Sequence, residues 1–92
     1  MFFVYILQSK KDKQLYIGYT KDLLQRFKKH NLGLVPSTKL RIPFRLAYYE
    51  AYASRQDATH REHNLKLRAK ALGQLKKRIK NCLEADTRLV WG

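Results

Sequence analysis

Glu62 is the residue hardest to explain as packing. On a helix shared with Ala58, Leu65 and Ala69, it projects within roughly 40 degrees of the centre of their apolar stripe. It is also the only acid between Ala58 and Leu83, amid eight Lys and Arg in residues 61–80. A carboxylate turned to a core without a partner costs several kcal/mol, so Glu62 requires a cation. Two fit: the Arg26 guanidinium, in a core ion pair, or a divalent metal ion. A hard ion held by one carboxylate keeps most of its waters, which suits Mg²⁺ shared between protein and a phosphate. Such an ion polarises the phosphate and stabilises a leaving oxygen. His60, Glu62 and His63 do not make a zinc pattern, because His-Arg-Glu-His is not His-Glu-x-x-His and His60 points about 160 degrees from Glu62 on a helix.

Two tyrosines and a helix supply the other reactive groups. Tyr5 lies in the strand-like run Phe2 to Leu7, and Tyr16 in the run Leu15 to Tyr19, with the polar stretch from Ser9 to Gln14 between them. If the hairpin loop holds an even number of residues, both rings fall on one face, and Gly18 shares that face and leaves a shallow space beside them. The second strand passes almost directly into a helix from Lys21 to His30. Its apolar positions Leu23, Leu24, Phe27, Asn31 and Leu34 centre on one direction, and Arg26 and His30 lie roughly 60 to 100 degrees from it. That border is where a side chain lines a cleft between helix and sheet. Arg26 is also four residues after Asp22, the spacing of a surface ion pair, and the helix alone leaves both readings open.

The elements that must hold these groups are legible in outline. Thr20 is the expected N-cap of the first helix, with Asp22 in its first turn and Gly33 as its stop. Leu34 to Pro43 is a connection broken by prolines. Phe44 to Glu50 alternates as a third strand. Ser54 and Asp57 resemble a capping box opening a helix from about Arg55 to Ala69, and a last helix spans about Ala71 to Leu83, with Gly73 leaving the place of the join open. The expectation is an α+β fold: one small domain over residues 1–83, a three-stranded antiparallel sheet flanked by about three helices. Residues 84–92 form a tail in which Leu89-Val90-Trp91 can pack back on the domain.

Composition narrows the partners. The chain has 92 residues, too few for two cores, and 45% hydrophobic residues, enough for one. Twenty Lys and Arg against seven Asp and Glu give a net charge of +13, which favours a polyanionic partner, with nucleic acid ahead of a membrane surface. No run approaches the ~18 apolar residues of a membrane span. The apolar opening Met1 to Leu7 lacks a basic flank and a cleavage site, so it reads as a strand, not a signal peptide. Cys82 is the only cysteine, which fits a reducing cytoplasm and a core position in the last helix.

Phe3-Val4-Tyr5, then ten residues, then Tyr16-Ile17-Gly18, with Arg26 eight residues after the glycine, resembles the GIY-YIG nuclease family, in particular its small single-domain bacterial members. The likeness runs over about residues 2–80 and includes Ser37-Thr38-Lys39 and Arg41-Ile42-Pro43. Phe3-Val4 replaces the Gly-Ile of the family name, and Tyr19 stands where some relatives carry a lysine, which leaves open whether another cation does that lysine's work. The resemblance implies hydrolysis of phosphodiester bonds in DNA or structured nucleic acid with one divalent ion, Mg²⁺ or Mn²⁺. It assigns one motif tyrosine, Tyr5 ahead of Tyr16, as general base, directly or through a bound water, the other to orient water or phosphate, Arg26 to phosphoryl charge and Glu62 to the metal. His30 becomes a second base or a phosphate donor, and Gly18, Lys39 and Arg41 contact the nucleic acid. Two rivals explain part of the same sequence. A non-catalytic basic module on this fold explains the charge but makes no use of the four motif residues. A domain docking on an acidic protein explains the charge and not the buried carboxylate.

Overall fold

A computed structural model describes residues 1–84. Strands β1 (Phe2–Ser9), β2 (Leu15–Thr20) and β3 (Phe44–Tyr52) form one antiparallel sheet in the order β2-β1-β3. Helix α1 (Leu23–Asn31) follows β2, and helices α2 (Arg55–Leu67) and α3 (Ala69–Arg78) follow β3, with 3-10 turns at Lys39–Arg41 and Lys80–Cys82. The expected α+β architecture is therefore the one the chain adopts. No helix among the described residues is long and apolar enough to cross a membrane.

Register decides which side chains meet. Ser9 N–H donates to the Gln14 carbonyl at 3.0 Å and closes a loop of even length, so Tyr5 stands opposite Gly18 and Leu7 opposite Tyr16. Side chains alternate along a strand, so Tyr5, Tyr16 and Gly18 share one face of the sheet. The central strand β1 divides two small cores. Tyr5 and Leu7 pack with Phe44, Leu23 and Phe27 on the α1 side, and Val4 and Ile6 pack with Ile17, Ala58, Leu65 and Leu75 on the side of α2 and α3.

Several expectations about the helices are corrected. Asp22, not Thr20, caps α1: its Oδ1 accepts from Gln25 N–H at 3.1 Å, and Thr20 Oγ1 accepts from Asp22 N–H. The sheet-facing stripe of α1 is rotated from the purely apolar one. Leu24 and Leu34 are 70% and 64% exposed, and the face holds Leu23, Phe27, His30 and Asn31. Asn31 is held there by a double hydrogen bond to the Phe44 backbone, at 2.9 and 2.7 Å, which joins α1 to the start of β3. The strand β3 runs on to Tyr52, past the expected end at Glu50. Ser54 caps α2 as its sequence indicates, accepting from Asp57 N–H at 3.3 Å. The break between α2 and α3 falls at Arg68, which leaves the helical region, while Gly73 sits inside α3. Because α3 ends at Arg78, Cys82 falls in a 3-10 turn and is exposed, not in a core. Leu89-Val90-Trp91 lies outside the described residues.

Candidate active site

The site begins with a glycine that makes room for a tyrosine. A Cβ on Gly18 would stand 2.3 Å from both Cζ and the hydroxyl of Tyr5, so the shallow space expected beside the rings is filled by the Tyr5 ring itself. Gly18 is buried beneath it and presents nothing to a ligand, which removes it from the nucleic-acid contacts. With the ring laid down this way, the Tyr5 hydroxyl reaches His30 Nε2 at 2.9 Å. His30 is 0% exposed and lies edge-on to both tyrosines, with ring centroids 5.8 Å from Tyr5 and 5.0 Å from Tyr16.

The direction of that hydrogen bond follows from the next one. Thr38 Oγ1 donates to the Val35 carbonyl at 3.4 Å, so it accepts from His30 Nδ1–H at 2.8 Å. A neutral imidazole carries one proton, and with Nδ1 protonated Nε2 is the acceptor. Tyr5 therefore donates to His30, and a buried chain runs from Tyr5 through His30 and Thr38 to the backbone. Burial, then the positive charge of Arg26, push His30 from 6.5 down to about 4, so it is neutral at physiological pH. Burial raises the Tyr5 phenol above its ordinary 10.0, the Arg26 guanidinium beside its oxygen pulls it back, and Tyr16 and Glu62 add to the rise. Both ring nitrogens of His30 are engaged, so it cannot also donate to a phosphate.

Tyr16 is half-buried, and its hydroxyl bonds to none of the described residues, which leaves it for a ligand. Arg26 is also half-buried, and it has no carboxylate within 4.0 Å among the described residues. Asp22, its alternative partner, uses its carboxylate for the helix cap. Of the two readings left open for Arg26, the geometry matches the cleft-lining one. Lys39 is exposed. Arg41 is partly committed within the fold: it pairs with Asp12 at 3.1 Å, donates to the Leu15 carbonyl and lies over the Phe44 ring at 5.4 Å, which makes it a brace for the loop.

Glu62 does not pair with Arg26 among the described residues. Its partner is Lys66, one turn on, with Nζ 3.1 Å from Oε2, and its side chain is 23% exposed. The apolar stripe of α2 does face the core at Ala58 and Leu65, but Glu62 sits at its rim, where β2 forms an edge of the sheet. The rotation of α2 is set by its neighbour Arg61, whose Nε and Nη2 grip both oxygens of Glu50 on β3 at 3.0 and 3.1 Å. Burial works to raise Glu50, yet the bonds from Arg61, Tyr48 and Tyr52 hold it below its ordinary value. Lys66 also lies 6.0 Å from the centre of the Tyr16 ring, and both residues line a groove of about 540 Å³ along the β2 edge. Among the described residues no three His, Cys, Asp or Glu gather as a metal cage. A lone half-buried carboxylate fits a hard cation that keeps its waters, and the Lys66 ammonium competes for it.

The profile of the GIY-YIG catalytic domain matches residues 1–81. The chain belongs to the GIY-YIG family. That family is typically endonucleolytic, which implies a nucleic-acid substrate. UPF0213 proteins of Staphylococcus aureus strains Mu3 and N315 are each 42% identical over 79 residues, covering 83% of this chain and 95% of theirs. The solution NMR structure of a UPF0213 protein from Bacillus halodurans is 39% identical, with a TM-score of 0.53 over 84% of each chain. The two departures from the GIY-YIG pattern are explained by packing. Val4 is buried in the α2–α3 core, and Phe3 packs edge-on against Tyr49 at 5.9 Å. Tyr19 stacks on Phe2 at 6.4 Å and packs against the α2–α3 core, away from Tyr5 and Tyr16.

Two residues of this constellation, Thr38 and Lys66, are given no role by the sequence pattern. Thr38 gives little signal, since a threonine in a proline-broken loop reads as solvent-facing. Lys66 does carry one, because it follows Glu62 at helical i,i+4 spacing.

Proposed function

We propose that this domain hydrolyses phosphodiester bonds in DNA or structured nucleic acid, with one Mg²⁺ or Mn²⁺ ion at Glu62. The observation that carries the reading is the buried bond from the Tyr5 hydroxyl to neutral His30, next to an Arg26 with no carboxylate partner among the described residues. A phosphate placed over the tyrosines would find the Tyr16 hydroxyl and the Arg26 guanidinium as donors. An attacking water gives its proton to the Tyr5 oxygen while the Tyr5 proton passes to His30 Nε2, so the pair acts as one general base. Arg26 disfavours a charged His30 in the free protein, and the negative substrate offsets that charge. Arg26 also stabilises charge developing on the phosphoryl oxygens. A divalent ion at Glu62 would polarise the scissile phosphate and stabilise the departing oxygen.

The test is cleavage of single-stranded, duplex and branched substrates with Mg²⁺ or Mn²⁺, alongside melts of wild type and Glu62→Gln with and without metal. Among the described residues Glu62 is paired only with Lys66, an i,i+4 contact worth about 0.3–0.5 kcal/mol, so the variant should stay folded. Cleavage should be lost, and metal should raise the wild-type midpoint and not the variant's. A Glu62→Gln protein that still cleaves defeats the assignment. Salt-sensitive binding without cleavage on any substrate would leave a non-catalytic nucleic-acid-binding module.

A further inference from the structure

Lys66 stands between Glu62 and Tyr16. Its ammonium is the only cation within 4.0 Å of Glu62 among the described residues, and it stands 6.0 Å from the Tyr16 ring, both residues lining one groove. A lysine that merely decorated a solvated helix would satisfy the first contact and have no reason to make the second. Its side chain is 45% exposed on a flexible four-carbon stem, so it can move between partners without repacking. Of the other cations nearby, Arg26 stands beside the Tyr5 oxygen, Arg41 pairs with Asp12 and Lys13 with Glu84, and Lys76 lines the same groove but, unlike Lys66, has no ion pair with Glu62.

Resting on the proposed function, we infer that Lys66 is a second phosphate-binding cation of the site, held in reserve by Glu62. In the free protein it neutralises the carboxylate. When a divalent ion takes Glu62, the ammonium is released toward the groove mouth and binds a phosphodiester oxygen beside Tyr16. Metal and substrate binding are then coupled through one side chain. The metal frees a cation for the substrate, and the substrate keeps that cation off the metal's ligand.

The coupling gives readouts that do not depend on turnover. Duplex DNA binding is measured against salt with Ca²⁺, to hold the metal position without cleavage, and again in EDTA, for wild type, Lys66→Met and Glu62→Gln. The log–log slope changes by about 0.9 for each phosphate neutralised, so Lys66→Met should be shallower than wild type by about that amount in Ca²⁺ and indistinguishable from it in EDTA. Glu62→Gln, which frees Lys66 without metal, should be steeper than wild type by the same amount in EDTA. Mn²⁺ titrated without nucleic acid should bind Lys66→Met several-fold more tightly than wild type. Equal slopes for wild type and Lys66→Met in Ca²⁺, or an unchanged Mn²⁺ affinity, overturn the inference and leave the metal reading intact. Wild type that binds no Mn²⁺ overturns the metal reading, and this inference with it.

Discussion

Lowering the pH should weaken this fold through one buried histidine. His30 has its folded value pushed to about 4 from 6.5, because it is buried with Arg26 nearby and both nitrogens are bonded in the neutral form. Below 6.5 the unfolded chain takes up a proton that the folded chain refuses, so stability is fully present above that pH and is lost as pH falls toward 4. Each unit of that interval is worth about 1.4 kcal/mol, giving ~2 kcal/mol by pH 5 and ~3 kcal/mol in full. Against a typical stability of about 5–15 kcal/mol this is a large fraction. The window from pH 7.5 to 5 lies above the ordinary carboxylate range, and Glu50, whose value is lowered, gives up its own contribution only below it. Urea midpoints measured across that window should fall by roughly 1–2 M for wild type and stay nearly level for His30→Gln. The other two histidines are present in both proteins and cancel in the difference. Equal pH slopes, or His30 resonances that titrate near 6.5, would refute the neutral buried imidazole and with it the direction of the Tyr5 bond.

The remaining expectations follow from the same geometry. Gly18→Ala should cost about 2–4 kcal/mol, because the new methyl overlaps the Tyr5 ring and breaks its bond to His30, and a melt lowered by less than a few degrees would contradict the packing. Arg26→Ala should lower kcat by about two to three orders of magnitude with little change in the melting midpoint, since no carboxylate among the described residues is stranded by its removal. Duplex affinity should fall steeply with salt, and a log–log slope near zero would remove nucleic acid as the partner of the basic surface.

Periodicity carries most of what is legible in the sequence. Alternation places Tyr5 and Tyr16 on one face, and the helical wheel puts Arg26 at the rim of the cleft. Periodicity misleads where a polar group is buried by being satisfied. A wheel scores His30 as polar and sets it at the border, and only its bonds to Tyr5 and Thr38 allow it inside. Leu24 and Leu34 are set inside for the opposite reason, although both are exposed. The need of Glu62 for a cation is visible in its position, but weighing only Arg26 and metal overlooks Lys66 on the same helix. Gly18 registers as space without the ring that occupies it, because the fit depends on the register of β1 against β2.

The site is built in two halves that differ in how firmly they are held. Tyr5, Gly18, His30 and Thr38 are buried, interlocked by contacts between β1, β2, α1 and the loop after it, and the hydrogen bonds of the three side chains are satisfied within the protein. Glu62 and Lys66 stand on α2 at the edge of the sheet, partly exposed, and among the described residues their ion pair is with each other. Buried polar chains are costly to disturb, whereas an exposed ion pair contributes little to stability and is readily exchanged. Substitutions in the first half should therefore lower stability and activity together, and substitutions in the second should lower activity alone. That division suits the proposed chemistry, in which the proton-handling pair must be fixed before substrate arrives and the charged pair must be free to change partners when it does.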